Sequence, residues 1–182
     1  MNAITFPSIE TASAECLSLV EGPRQHLGFV PNLLLGLGEA PAVLAAYIDL
    51  SRHFAKVGLS GVETQVVLLV ASIENACGYC IAAHSTFATN MKIDPAALAA
   101  LRQCVETPDE KLNALANYVR MLIRTKGNVP RRDLERFVAA GYTRQQALGV
   151  LVGVAMKTIA NLGNHVMQTP LDAQFAAQGW AE

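Results

Sequence analysis

One segment of the sequence, residues 60–73, constrains the fold most strongly. Ser60 followed by Glu63 has the spacing of a capping box, which marks the first turn of a helix. The run that follows, Val66 to Ile73, is apolar almost all the way round a helical wheel. A helix of that kind is stable only when other elements cover most of its surface. The sequence therefore predicts a helix from Gly61 to about Ile73 at the centre of the molecule.

The rest of the chain carries the start and stop signals of further helices and no convincing strand-like alternation of apolar and polar residues. We therefore predict an all-α fold with a single domain over residues 1–182. A core at about 40–125 holds a Cys-x-x-Cys pair, and a helical extension follows at about 130–182. Gly22-Pro23 is expected to break the first helix. The predicted helices cover about residues 8–26, 40–56, 61–73, 77–91, 96–103, 107–126, 131–140 and 143–167, with a last short turn at 171–177.

Composition bears on the partners of the chain. Of its 182 residues, 52% are hydrophobic and 16% charged, so some apolar surface is expected to be buried between subunits. The net charge of −1, the pI of about 6.4 and the lack of a basic cluster argue against nucleic acid or an anionic membrane as a partner. The N-terminus has no signal-peptide pattern and the longest apolar run is too short to span a bilayer, so a cytoplasmic location is expected.

The segment after the central helix concentrates reactive side chains. Cys77, Cys80 and His84 fall on one helical stripe, and Glu74 lies three residues before the first cysteine. A helix N-terminus lowers the pKa of a thiol, and the thiolate is the reactive nucleophile. His84 can accept the Cys80 proton and pair with the thiolate, while Glu74 can orient the imidazole or pass the proton on. This combination suits thiol redox chemistry or the reduction of peroxides.

Other interpretations of the same residues stay open at this point. A zinc site would need two more ligands from the remaining cysteines and histidines, and no second Cys-x-x-Cys or His-x-x-x-His occurs. We therefore predict no metal and no cofactor. Two packed cysteines beside a satisfied histidine are the purely structural alternative. Asn161 and His165 share a helical face, from which they could reach the Cys pair or a subunit contact. The alternative is that His165 interacts with the C-terminus of its own helix. The further zinc ligands considered are Cys16, Cys104, His26, His53 and His165.

At these residues the sequence resembles the alkylhydroperoxidase D-like proteins of the carboxymuconolactone decarboxylase superfamily. The shared pattern is Glu-x-x-Cys-x-x-Cys-x-x-x-His-x-x-x-Ala, which runs here from Glu74 to Ala88. Leu59-Ser60 with Glu63 matches the start of the helix before it. Residues 28–32 and 161–172 resemble the flanks of the peroxidase-related subgroup. The decarboxylase branch lacks the cysteine pair, which argues against lactone decarboxylation.

The resemblance implies roles for individual residues. Cys80 is the thiol that attacks the peroxide, Cys77 resolves it as a disulfide, and His84 belongs to a proton relay. In the best-studied branch a glutamate twelve residues before the first cysteine completes that relay, and Gln65 stands at that position here. Glu74 is therefore the expected substitute, with Glu63 a weaker one.

The resemblance also implies an activity and an assembly. It implies a thiol-dependent peroxidase or disulfide oxidoreductase that acts on a hydroperoxide and is recycled by an external dithiol protein or small thiol. The expected assembly is a homo-oligomer, either a dimer, a trimer or a hexamer. The alternative function is a non-catalytic helical oligomer whose Cys pair senses redox state and switches partner binding.

Overall fold

The capping box predicted at residue 60 forms, and it starts the central helix. The Ser60 hydroxyl accepts the Glu63 backbone N–H at 3.2 Å, and the Glu63 carboxylate accepts the Ser60 N–H at 2.8 Å. The helix that follows, Gly61–Glu74, buries nine of its residues, including the whole run from Val66 to Ser72. The prediction of a buried central helix is confirmed.

A computed structural model describes residues 6–180 of the chain, so the ends of the predicted domain, 1–5 and 181–182, lie outside the described residues. Over residues 6–180 the fold is all-α, as predicted, with nine α-helices, one C-terminal 3₁₀ helix and no strand. The helices are α1 Ala14–Leu27, α2 Asn32–Gly38, α3 Pro41–Phe54, α4 Gly61–Glu74, α5 Gly78–Asn90, α6 Pro95–Arg102, α7 Glu110–Arg124, α8 Arg131–Ala139 and α9 Arg144–Met167, and the 3₁₀ helix is Ala173–Gln178.

The first helix differs from the sequence-based prediction at its start and at Pro23. It begins at Ala14 because the Ser13 hydroxyl caps it, accepting the Cys16 N–H at 3.1 Å. The predicted break at Gly22-Pro23 was wrong, since α1 continues through Pro23 to Leu27. A proline inside a helix removes one backbone hydrogen bond, and the exposure of the residues around Pro23 lets water replace it.

Helix α9 joins the C-terminal segment to the same core as the Cys-x-x-Cys pair, because it packs against α2, α3, α4 and α5. By length and composition alone it could cross a membrane, but part of it is buried in this bundle. Glycines allow the close approach: a Cβ at Gly153 would lie 2.7 Å from the Phe54 ring, and one at Gly163 2.7 Å from Leu37. Between these two glycines, Lys157 reaches His84 of α5 and Asn161 reaches Ser72 of α4.

Candidate active site

The turn between α4 and α5 presents the two cysteines. Ala76 adopts a left-handed conformation with φ of 50°, which is uncommon for a residue with a side chain. The Cys77 N–H then bonds back to the Ser72 carbonyl at 2.9 Å. Cys77 becomes the N-cap of α5, and Cys80 lies in its first turn. Both thiols therefore lie at the positive end of the helix dipole, as the sequence predicted.

Helix α9 supplies the hydrogen-bond donors to this thiol pair. The Asn164 amide N–H points at the Cys80 sulfur from 3.2 Å and at the Cys77 sulfur from 3.6 Å. Asn161, one turn earlier, accepts from the Asn75 amide at 3.0 Å and is buried beside Ser72. Both thiols are about 1% exposed. Amide donors in such a dry site favour negative charge on sulfur.

The two thiols share one proton when the pair is reduced. A hydrogen bond from the Cys80 thiol, together with the amides of Asn164 and Asn161 and against the effect of burial, lowers the pKa of Cys77 to about 5. Burial and the hydrogen bond to Cys77 raise the pKa of Cys80. The sequence placed the acidic thiol at Cys80. The structure instead favours the resting charge on Cys77, whose pKa is lowered, while burial keeps the proton on Cys80.

His84 lies between two side chains that determine which of its ring nitrogens carries the proton. The amine of Lys157 lies 2.9 Å from His84 Nε2, and Gln65 Oε1 lies 2.9 Å from Nδ1. An ammonium group can only donate, so Nε2 accepts and Nδ1 carries the proton, which it donates to Gln65. Burial, reinforced by the nearby Lys157 charge, holds the pKa of His84 well below its ordinary value. His84 is therefore a neutral imidazole and not the cation that pairs with the thiolate.

The buried cation of the site is Lys157, whose side chain is 0% exposed. Burial opposes its charge, but the neighbouring Cys80, reinforced by Cys77, outweighs that effect and raises the pKa of the Lys157 amine. Burial likewise raises the pKa of Tyr47, so this phenol stays neutral. The anion that balances the lysine is therefore the thiolate of the Cys77–Cys80 pair.

Glu74 does not reach His84. Its carboxylate pairs with the Arg124 guanidinium through two hydrogen bonds, of 2.7 Å and 2.9 Å, and ties the end of α4 to the end of α7. Glu63, the weaker candidate, is held by Lys111 at 2.8 Å and by its capping role. The predicted orienting role of Glu74 therefore has no support in the geometry, and Gln65 occupies the place beside His84.

This placement predicts that Glu74→Gln leaves the thiol chemistry intact. The pH titration of thiolate absorbance should be unchanged, because the carboxylate faces Arg124, whose side chain is 62% exposed. The loss of stability should be about 1.5–3 kcal/mol in chemical denaturation, because the Glu74 side chain itself is only 7% exposed and loses charged hydrogen bonds. Gln65→Leu is the comparison variant, since it removes the acceptor of the His84 proton. A titration shifted by Glu74→Gln as much as by Gln65→Leu would contradict the placement.

An apolar cavity of about 400 Å³ opens onto Cys80. Of the two thiols, Cys80 is the one among its lining side chains, together with His84 and Lys157. The remaining lining residues form mostly apolar and aromatic walls, with polar groups at the exposed rim. The walls include Leu33, Leu34, Tyr47, Ile48, Tyr79, Ala83, Phe87 and Phe175, and the rim includes His26, Ser51 and Arg52.

One buried polar cluster holds the walls of this cavity together. The Tyr79 hydroxyl donates to the Asp172 carboxylate and accepts the Leu33 N–H at 3.2 Å. Asp172 also accepts the Asn32 N–H at 3.1 Å, and burial raises the pKa of this carboxyl. Helices α2 and α5 and the segment before the 3₁₀ helix are thereby locked around Phe175.

Lys157 was not predicted from the sequence as a member of the site, although a signal was present. Lys157, Asn161 and Asn164 are spaced at i, i+4 and i+7, so they form a polar stripe on an otherwise apolar helix. His165, the other residue singled out, donates to the Ala76 carbonyl at 3.2 Å. Within residues 6–180 no three His, Cys, Asp or Glu side chains are grouped to hold a metal ion.

Comparisons with known proteins agree with this architecture. The sequence profile of the carboxymuconolactone decarboxylase family matches residues 41–121. No curated protein matches the chain significantly. The debrominase Bmp8 without ligand shares 19% identity at a TM-score of 0.79, with 98% of this chain and 97% of that chain covered. A second Bmp8 structure, the C82A variant, holds 2,3,4-tribromopyrrole.

Two further similar structures are of peroxidase-related proteins. An uncharacterized peroxidase-related protein from Ralstonia eutropha JMP134, described as an AhpD core, has 19% identity and a TM-score of 0.79, with 94% and 92% of the two chains covered. One from Silicibacter sp. TM1040 has 19% identity and a TM-score of 0.77, with 95% and 97% covered. The chain is therefore similar to the carboxymuconolactone decarboxylase family over residues 41–121, and its described residues share the fold of the AhpD core.

Proposed function

We propose that the chain is a thiol-dependent peroxidase, or disulfide oxidoreductase, that reduces organic hydroperoxides through Cys77 and Cys80. One observation carries the proposal: Cys80 lies at an apolar cavity, and the Asn164 amide contacts both its sulfur and the sulfur of Cys77. The peroxidase-related names of two structural neighbours support it. The apolar walls favour a bulky organic hydroperoxide over hydrogen peroxide.

The proposed reaction begins with a proton shift inside the pair. Cys80 gives its proton to Cys77, and the Cys80 thiolate attacks the terminal oxygen of the hydroperoxide. The O–O bond breaks, the alkoxide takes a proton from the site, and Cys80 becomes a sulfenic acid. Cys77 then displaces water from this sulfenic acid to form a disulfide. The thiol next to Cys80 is thus both the proton acceptor and the resolving group.

The partners of this reaction are also proposals. An external dithiol protein or a small thiol reduces the disulfide by exchange. Copies of the chain assemble through exposed apolar residues of α9, among which Leu148 is 68%, Leu162 53% and Val166 81% exposed. The number of subunits and the cytoplasmic location stay predictions from the sequence.

A single-turnover experiment tests the activity. The reduced chain is mixed with cumene hydroperoxide without reductant, and peptide mass analysis follows the Cys77–Cys80 disulfide; a parallel reaction with a dithiol measures turnover. We expect one disulfide per hydroperoxide, formed at least about 100-fold faster than with a free thiol at neutral pH. A pair that stays reduced would remove the peroxidase proposal. Oxidation without turnover, accompanied by a change in partner binding, would favour the redox sensor.

A second candidate is the reductive removal of halogen from an aromatic ring. The observation that favours it is the aromatic lining of the cavity at Cys80, which includes Phe87 and Phe175. The structural neighbour Bmp8 is a debrominase. Thiol-dependent release of bromide from 2,3,4-tribromopyrrole, without consumption of hydroperoxide, would select this function.

A further inference from the structure

The geometry points to Lys157 as the acid of this site: it gives its proton to the leaving oxygen when Cys80 is oxidised and is neutral while the disulfide persists. The inference rests on the proposed function for the reaction itself. The change of charge at Lys157 depends only on the redox state of the cysteine pair. The two parts are therefore tested separately.

Lys157 is placed where a proton donor is needed. Its amine lines the same cavity as Cys80 and contacts His84 Nε2 at 2.9 Å. Its aliphatic part is enclosed by α9 and the core, so the whole side chain is 0% exposed. An ammonium so deeply buried requires an anion close by.

The groups that face Lys157 leave one candidate for that anion. They are Tyr47 from α3, Cys80 and His84 from α5, and Cys77 at the cap of α5. Helix α2 carries no titratable side chain. The carboxylates of α4 are engaged elsewhere, by Lys111 and by Arg124. Since Tyr47 and His84 are neutral, the thiolate of the cysteine pair is the only partner on these elements.

The histidine cannot fill the same role. Its Nε2 lone pair faces Lys157, and its only proton, on Nδ1, faces Gln65. A carboxylate at residue 65 could receive that proton and pass it on, but an amide cannot. With glutamine at position 65, His84 cannot relay a proton, and Lys157 is left as the donor. His84 then serves to position the Lys157 amine.

The proton balance requires one donor besides the thiols. The reduced site holds one thiolate, one thiol and the Lys157 ammonium. Attack by Cys80 forms the S–O bond, breaks the O–O bond and releases an alkoxide, and Lys157 protonates it to the alcohol. The Cys77 thiol and the Cys80 sulfenic acid then give the disulfide and water. Sulfur has lost two electrons, the peroxide has gained them, and Lys157 has become a neutral amine.

Reduction of the disulfide restores the charge. An external dithiol supplies two electrons and two protons; one proton returns to the cysteine pair and the other to Lys157. The ammonium thus forms together with the thiolate that balances it. With the disulfide in place no thiolate remains, and a buried charged lysine would be uncompensated, which is strongly unfavourable.

NMR of the wild-type chain with ¹³C-labelled lysine tests the redox-linked charge directly. The Lys157 Cε signal, assigned with Lys157→Met, is titrated with pH in the dithiol state and after oxidation with diamide. A Cys104→Ser background is used because Cys104 is exposed. We expect the proton dissociation constant of Lys157 to rise at least about 100-fold on oxidation. Equal constants within threefold would overturn the inference, and this holds even if the chain reduces no peroxide.

Two substitutions separate proton donation from charge. Lys157→Arg keeps a permanent charge beside the thiolate but has no proton to give at neutral pH, whereas Lys157→Met removes both. Thiolate absorbance should persist in the arginine variant and fall in the methionine variant. Single-turnover oxidation by hydroperoxide should slow by about 10²-fold or more in both. Full activity of Lys157→Arg would show that charge alone suffices and would overturn the donor role.

The matched control is Lys56→Met, an exposed lysine at the end of α3, which should change neither readout. If the position-157 variants fail to fold, the wild-type titration still decides without an assignment, since the absence of any lysine signal whose dissociation constant changes on oxidation would overturn the inference. If Cys80 is unreactive toward peroxide while the Lys157 charge changes on oxidation, the proposed function fails and the linkage stands.

Discussion

Cys80→Ser is expected to lower hydroperoxide turnover by about 10⁴-fold or more, because it removes the only thiol of the pair that faces the cavity. Cys77→Ser is expected to behave differently. Its Cys80 should still be oxidised once per molecule and should then stop at the sulfenic acid or a mixed disulfide. Mass analysis after one equivalent of cumene hydroperoxide distinguishes the two variants.

The pH dependence of that oxidation follows from the shared proton. The wild-type pair has already lost one proton above pH 5, because the pKa of Cys77 is lowered to about 5. The rate should therefore be nearly constant from pH 6 to 8 and fall as the pH drops through 5. The oxidation rate of an ordinary thiol would instead rise about tenfold per pH unit up to 8.5.

The two serine variants also test which cysteine attacks the peroxide. A single oxidation seen in Cys80→Ser and absent in Cys77→Ser would reverse the assigned roles.

Ala83→Phe is expected to discriminate between large and small peroxides. Ala83 lines the cavity one turn after Cys80, so a phenyl ring there fills the space that a bulky substrate would occupy. The value of kcat/KM for cumene hydroperoxide should fall about 100-fold, while that for hydrogen peroxide should stay within about threefold. Steady-state kinetics with both peroxides measures the ratio.

Phe87→Ala is the matched comparison, because it widens the same cavity from the same helix. It should leave cumene hydroperoxide as the preferred substrate. An unchanged ratio of the two peroxides in Ala83→Phe would show that substrates do not approach through this cavity. A parallel loss for both peroxides would show instead that the phenyl ring had disturbed the thiol pair.

Much of the fold was predictable because its signals are local. The capping box predicted at Ser60 depends on two residues only three positions apart, and it forms. The exception is Pro23. This residue was expected to end the helix, but α1 continues through it to Leu27. A prediction from local sequence includes the cost of the backbone hydrogen bond that proline removes. It does not include the hydrogen bond to water that replaces it at an exposed position.

The candidate site divides in the same way. The sequence by itself determined that Cys77, Cys80 and His84 share one stripe at a helix start, because helical periodicity sets distances over seven residues. Only the tertiary structure decided which side chains meet that stripe. Arg124 pairs with Glu74, which lies fifty residues away in the sequence. Helix α9 places Lys157 beside His84, seventy-three residues away. The physical reason is that a buried charge is satisfied by whichever partner the packing of distant helices places within hydrogen-bond reach, and no spacing within one helix encodes that choice.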